Sequence, residues 1–129
     1  MGFDERTRAL LDGKNFATVA TLDADGSPHT SLVWIGTDGD AVVFSSLAGR
    51  RKIRNLQRDP RISLTVSDKD NPYQSVDIRG TAELIEDPGK TLPATLSHKY
   101  LGQDPQPESE EKLRMIVRVT PDKITQFSV

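Results

Sequence analysis

The densest chemistry in this 129-residue sequence is cationic. Arg50, Arg51, Lys52, Arg54, Arg58 and Arg61 are six of its 17 basic residues, and only Asp59 opposes them in that stretch. The rest of the chain sets 11 basic against 18 acidic residues, so one basic patch sits on a protein of net charge −2. Just upstream, Ser45 and Ser46 offer hydroxyl donors and Gly49 permits a sharp turn. If a strand ends at the serines and a helix begins near residue 50, hydroxyls, unpaired first-turn amides and Arg/Lys side chains converge on one junction. The helix dipole and charge-assisted hydrogen bonds there favour a phosphate. On a helical wheel Ile53 and Leu56 mark the buried side, Arg50, Arg54 and Arg58 fan out opposite, and Lys52 falls near the seam. A solvated, charged helix face fits the same run, and the charge pattern alone favours neither.

Other chemistries are missing. Without cysteine there is no disulfide, thiolate nucleophile or Cys-based zinc site. Neither a G-x-G-x-x-G after a strand nor a G-x-x-x-x-G-K-[ST] occurs. His29 begins a strand and His98 lies on a late helix, with no fixed acidic partner expected for either. Asp68-Lys69-Asp70-Asn71 opens like a calcium loop, but Pro72 at the fifth position and Arg79 at the twelfth remove that reading, so no metal is expected. Glu108 to Glu111 reads as a solvated run. No nucleophile–base pair can be named and the catalytic residues are unknown, so an enzyme built on this chain must borrow a cofactor. The acidic balance and the lack of aromatics near residues 50–61 argue against nucleic acid. No apolar run approaches the ~20 residues of a membrane span. The acidic start, Met1-Gly2-Phe3-Asp4-Glu5-Arg6, does not resemble an export signal, and the expected location is cytoplasmic.

The elements that must position the basic patch are mostly strands. Residues 4–12 predict a short helix capped by Asp4 and ended by Gly13. Strands are expected over 16–22, 29–35 and 41–46, separated by turns at Asp23–Gly26 and Thr37–Asp40, as a three-stranded meander. A helix over 49–59 closes at Asp59-Pro60. Strands 61–67 and 75–84 alternate strictly; a helix over 88–101, a mobile acidic loop over 102–112, and strands 114–119 and 124–129 complete the chain. Strands 29–35 and 41–46 are apolar on both faces, and one barrel has one interior. Either a second copy of the protein or the outer helices must cover the other face, and the homodimer is the expectation.

These blocks carry a family resemblance. Gly26-Ser27-Pro28, Val42-Val43-Phe44-Ser45-Ser46, the run from Arg50 to Arg61 and Gly80-Thr81-Ala82-Glu83-Leu84 resemble, in order and spacing, the pyridoxamine 5'-phosphate oxidase-like split-barrel superfamily. Within it, the short length and the R-N-L-x-R-D-P-R wording are most similar to actinobacterial reductases that use the deazaflavin coenzyme F-420. The resemblance implies a mainly β fold: a single domain over 1–129, a six- to seven-stranded antiparallel split barrel with flanking helices, similar to FMN-binding proteins. It implies an oxidoreductase that passes a hydride from coenzyme F-420, held at a dimer interface, to a small electron-poor substrate. FMN is the alternative cofactor, and a non-catalytic carrier of a flavin- or haem-type ligand the alternative role. By the same resemblance, Thr30, Ser31, Leu32 and Val33 run along the cofactor ring and Ser45 and Ser46 touch its side chain. Arg51 and Lys52 hold the phosphate with Arg50 as a third contact, and Tyr73, Gln74 and Ser75 arrive from the partner subunit. Arg54 and Arg58 meet the oligoglutamate tail of coenzyme F-420 or serve solubility. Two departures stand against pyridoxamine phosphate oxidation: Thr30 replaces an arginine usual in the FMN oxidases, and the end Ile124 to Val129 lacks their basic segment.

Overall fold

The computed structural model describes residues 2–128. Helix α1 (Glu5–Asp12) begins at Asp4, whose carboxylate accepts from the Thr7 amide at 2.8 Å, and Gly13 follows its end. Strands β1 (Ala17–Leu22) and β2 (Pro28–Val33) form a hairpin through a turn at Asp23–Gly26. Then β3 (Gly36–Asp38) and β4 (Ala41–Leu47) form a second hairpin, α2 (Arg51–Arg58) follows, and β5 (Arg61–Asp68), β6 (Asn71–Glu86), α3 (Thr91–Leu101) and β7 (Arg114–Ser128) complete the chain. The strands make one antiparallel seven-stranded sheet in the order β2-β1-β5-β6-β7-β4-β3.

That order corrects the expected meander: β2 pairs with β1 alone, and β4 pairs with β3 and β7. Gly36–Asp38, read as turn because Asp38-Gly39-Asp40 dominates its composition, is a strand instead. Strands β2 and β3 lie at opposite ends of the sheet order, yet only Trp34 and Ile35 separate them. So short a connection reaches at most about 10 Å. The sheet must therefore curl until its ends face one another, as a barrel with one unzipped seam. Its interior holds Val19, Ile35, Val42, Phe44, Leu64, Val66, Val76, Ile78, Val117 and Val119, each 1% exposed or less.

The two closing strands expected from the sequence are a single strand, β7, paired along β6 with a register shift at Arg79/Gly80. The extra residue at the bulge is Asp122, between Lys123 opposite Arg79 and Pro121 opposite Gly80, and Pro121 lies beyond the last residue that pairs with β4. A Cβ on Gly80 would lie 2.3 Å from the Thr120 carbonyl oxygen, so only glycine allows this approach. The outer face of β4, Ala41 and Val43, is buried within the chain itself. Leu96 of α3 reaches it, with both Leu96 and Val43 against Gly36, so a helix covers the face for which a second copy was expected. Leu32 on β2 stays 68% exposed. Helix α3 starts later than expected, because the Asp87 carboxylate caps it by accepting from the amides of Thr91 and Leu92, both at 3.0 Å. The expected strand end at Val129 lies outside the described residues.

Candidate functional site

The seam opens into a cleft of about 890 Å³. Strand β2 lines one side with Ser31, Leu32 and Val33, and β4 the other with Ser45, Ser46 and Leu47. Arg50 and Lys52, at the start of α2, close one end. The far wall comes from α3 and from residues 103–109 of the acidic loop.

The donors at the α2 end have little to bond within the protein. Lys52 is half-buried and has no hydrogen-bond or ion-pair partner among the described residues. Burial, and secondarily the charge of Arg50, push its ammonium below the ordinary lysine range. Arg50 precedes the helix without capping it by its side chain, and the amides of Arg51 and Lys52 meet no backbone acceptor. The hydroxyl oxygens of Ser31 and Ser45 are buried and unpartnered. Ser46, 3% exposed, bonds only the neighbouring Leu47 carbonyl, at 3.1 Å. Buried hydroxyls without partners carry a desolvation cost of about 1–3 kcal/mol each, which a bound ligand can relieve. Two cations, two free amides and orphaned hydroxyls around one cleft form a donor set for an anion with a polar arm.

Seven of the twelve residues named from the sequence thus line the cleft: Ser31, Leu32, Val33, Ser45, Ser46, Arg50 and Lys52. Thr30 points outward on β2, exposed. The Arg51 side chain turns away, with Nε donating to Asp23 Oδ1 at 2.9 Å and Nη2 donating to Asp23 Oδ2. Tyr73, Gln74 and Ser75 lie near the start of β6, where Gln74 and Ser75 pair with Ser128 and Phe127, outside their own chain's cleft. Arg54 and Arg58 are also outside it, and Arg58 Nη1 donates to the Leu22 carbonyl at 3.1 Å.

Three features escaped the sequence. Tyr100 on α3 stacks with Trp34 (centroids 5.2 Å apart, planes 8° apart) and with Phe16 (5.9 Å, 13°), and Phe16 and Trp34 face the cleft. The Tyr100 hydroxyl fixes this wall by donating to the Asn15 carbonyl at 2.6 Å and accepting from the Ile35 amide at 3.1 Å. The second feature is Glu108, which is not solvated. Arg114 Nη2 reaches its Oε1 at 2.8 Å and Lys90 Nζ its Oε2 at 3.0 Å, and these cations, Arg114 above all, hold its carboxyl at about 2. The pin makes residues 103–109 a wall of the cleft, which low hydrophobicity and two prolines concealed. Third, His98 does have an acidic partner, Asp104 Oδ1 at 2.7 Å, both side chains being well exposed. No metal-binding cluster occurs among the described residues, and no helix is long and apolar enough to cross a membrane.

Known proteins share this fold. An F-420 reductase structure superposes with a TM-score of 0.86 at 29% identity, covering 95% of this chain and 98% of its own. A conserved hypothetical protein of Mycobacterium tuberculosis has the same fold, with a TM-score of 0.81 at 23% identity over 99% of this chain and 86% of its own. A pyridoxine/pyridoxamine 5'-phosphate oxidase of Cupriavidus metallidurans is 34% identical over 86 residues. That match covers 66% of this chain but 40% of the relative, so this chain spans well under half of the oxidase. The family description of pyridoxamine 5'-phosphate oxidase matches residues 3–128, nearly the whole chain. The chain belongs to the pyridoxamine 5'-phosphate oxidase family.

Proposed function

We propose that this chain is an oxidoreductase that holds a flavin-type cofactor in the seam cleft, with coenzyme F-420 as the cofactor and FMN as the second reading. The observation that carries the proposal is the convergence of unpartnered donors at one end of the cleft: Lys52, Arg50, the first-turn amides of α2 and the Ser45 hydroxyl. The cofactor, when bound, supplies the hydride chemistry that the chain's own side chains lack. Lys52 and Arg50 bind its phosphate, and Ser45 and Ser46 orient the polar arm. Ser31, Leu32 and Val33 lie along the ring, and Phe16 and Trp34 offer a flat apolar wall suited to a planar, electron-poor substrate. The F-420 reading rests on the likeness to the F-420 reductase over nearly both whole chains. The FMN reading rests on the family match, and Thr30 in place of an arginine weakens it.

The proposal includes a homodimer. Leu32 at 68% and Phe16 at 54% exposure leave an apolar rim on the cleft, and Tyr73 at 62% and Phe127 at 54% leave another apolar surface at the β6–β7 end. In a two-fold dimer, residues 73–75 of one protomer close the cleft of the other. Competitive titration of purified protein with coenzyme F-420 and FMN tests the cofactor: F-420 is expected to bind more tightly, and clear preference for FMN overturns that choice. Turnover of an enone or quinone-type acceptor is expected with the bound cofactor; tight binding without turnover of any acceptor would favour a carrier.

A further inference from the structure

The Asp23 turn and helix α2 are joined more elaborately than an exposed ion pair requires. Residues 51, 55 and 58 form one stripe of α2, and all three reach the end of β1. Arg51 donates twice to the Asp23 carboxylate. Asn55, 2% exposed, donates from Nδ2 to Asp23 Oδ1 at 2.9 Å and to Thr21 Oγ1 at 3.0 Å. Arg58 donates to the Leu22 carbonyl. The carboxylate is itself held by a closed turn, since the Asp23 amide donates to the Ser27 carbonyl at 2.8 Å and the Gly26 amide to the Asp23 carbonyl at 2.9 Å. Arg51 and Asn55 together keep the Asp23 carboxyl at about 2. One residue along a helix turns the side chain by about 100°, so a stripe through Arg51 and Asn55 that faces the turn leaves Lys52 facing the cleft.

We infer that Asp23 is the positioning residue of the anion cradle: it draws the Arg51 guanidinium out of the site and, with Asn55, sets the first turn of α2 so that Lys52 and the backbone amides meet the phosphate. The inference rests on the cofactor reading above. It reverses the role that Arg51 would have as a direct phosphate ligand, because the side chain is committed to Asp23 and only the Arg51 amide remains for the ligand. Simple charge counting makes the opposite prediction. Removing an acid beside an anion site and freeing an arginine would tighten binding, whereas loss of a positioning contact loosens it.

The test measures dissociation constants of wild type, Asp23→Asn, Arg51→Lys and Lys52→Ala for whichever cofactor binds. Each is compared with the same chromophore lacking its phosphate, riboflavin for FMN or the free deazariboflavin for coenzyme F-420. Asp23→Asn and Arg51→Lys are expected to weaken the phosphate-bearing form about tenfold and leave the phosphate-free form unchanged. Lysine keeps the charge but cannot make the two-pronged contact. Arg51→Lys is expected to shift thermal unfolding little, because the Arg51 side chain is 55% exposed, and Asp23→Asn is compared at a temperature well below its own melting point. Equal or tighter cofactor binding by Asp23→Asn, wild-type affinity in Arg51→Lys, or equal losses for both chromophore forms would each overturn the inference. If Lys52→Ala binds as wild type does, the cofactor reading itself fails and the inference with it.

Discussion

The Ser45 hydroxyl lines the cleft and is buried with no partner. Ser45→Ala is therefore expected to raise the melting temperature of the ligand-free protein, by up to about 1 kcal/mol of stability, while weakening cofactor binding. Differential scanning calorimetry with and without cofactor checks both signs, and a destabilised free protein would contradict the assignment. That Ser45, Ser46 and Lys52 come together at one cleft was legible in the sequence, because strand end, turn and helix start are local signals. The fate of Arg51 was not, because its partner Asp23 lies 28 positions away and reads locally as an ordinary turn residue. Glu108 was misread for a different reason: a carboxylate in an acidic loop looks solvated, although Arg114, six positions on, and Lys90 both pair with it in the fold.

Strands and helices were identified well where periodicity or capping was local, and poorly where pairing was remote. Helix α1, with its Asp4 cap, and the alternating strand β5 fell close to expectation. The pairing of β4 with β7 was invisible, since nothing in Ala41–Leu47 names a partner some 70 residues away. Pro121-Asp122 looked like a break, and the bulge opposite Arg79 and Gly80 shows how the sheet carries a proline without ending the strand. Gly80→Ala tests that device directly. Its Cβ would meet backbone at 2.3 Å, so backbone must move, and a loss of about 3 kcal/mol or more is expected in denaturant unfolding. A near-neutral result would show that the β6–β7 approach is looser than drawn.

At the scale of the whole molecule, the fold class and family were legible, whereas the seam was not. The seam follows from two residues joining opposite ends of the sheet, a fact of topology rather than of composition. The charge pairs that brace the surface also set an acid limit. Asp23, Asp59 and Glu108 are held at about 2 by Arg51, Arg61 and Arg114, below their ordinary values. Groups depressed in the fold stabilise it above their unfolded values and lose that contribution as pH falls. The melting temperature should therefore hold above about pH 5 and decline from about pH 4 toward 2. Glu108→Gln should make that decline shallower, and an onset already between about pH 7 and 5 would implicate other groups. The central claim, that the α2 end of the seam clasps a cofactor phosphate, is tested most directly by equilibrium dialysis of wild type and Lys52→Ala against coenzyme F-420 and FMN. Saturable binding of at least one by the wild type is expected, with Lys52→Ala weaker by about ten- to hundred-fold, or about 1.5–3 kcal/mol. Binding of neither cofactor, or equal affinity in a folded Lys52→Ala, would contradict it.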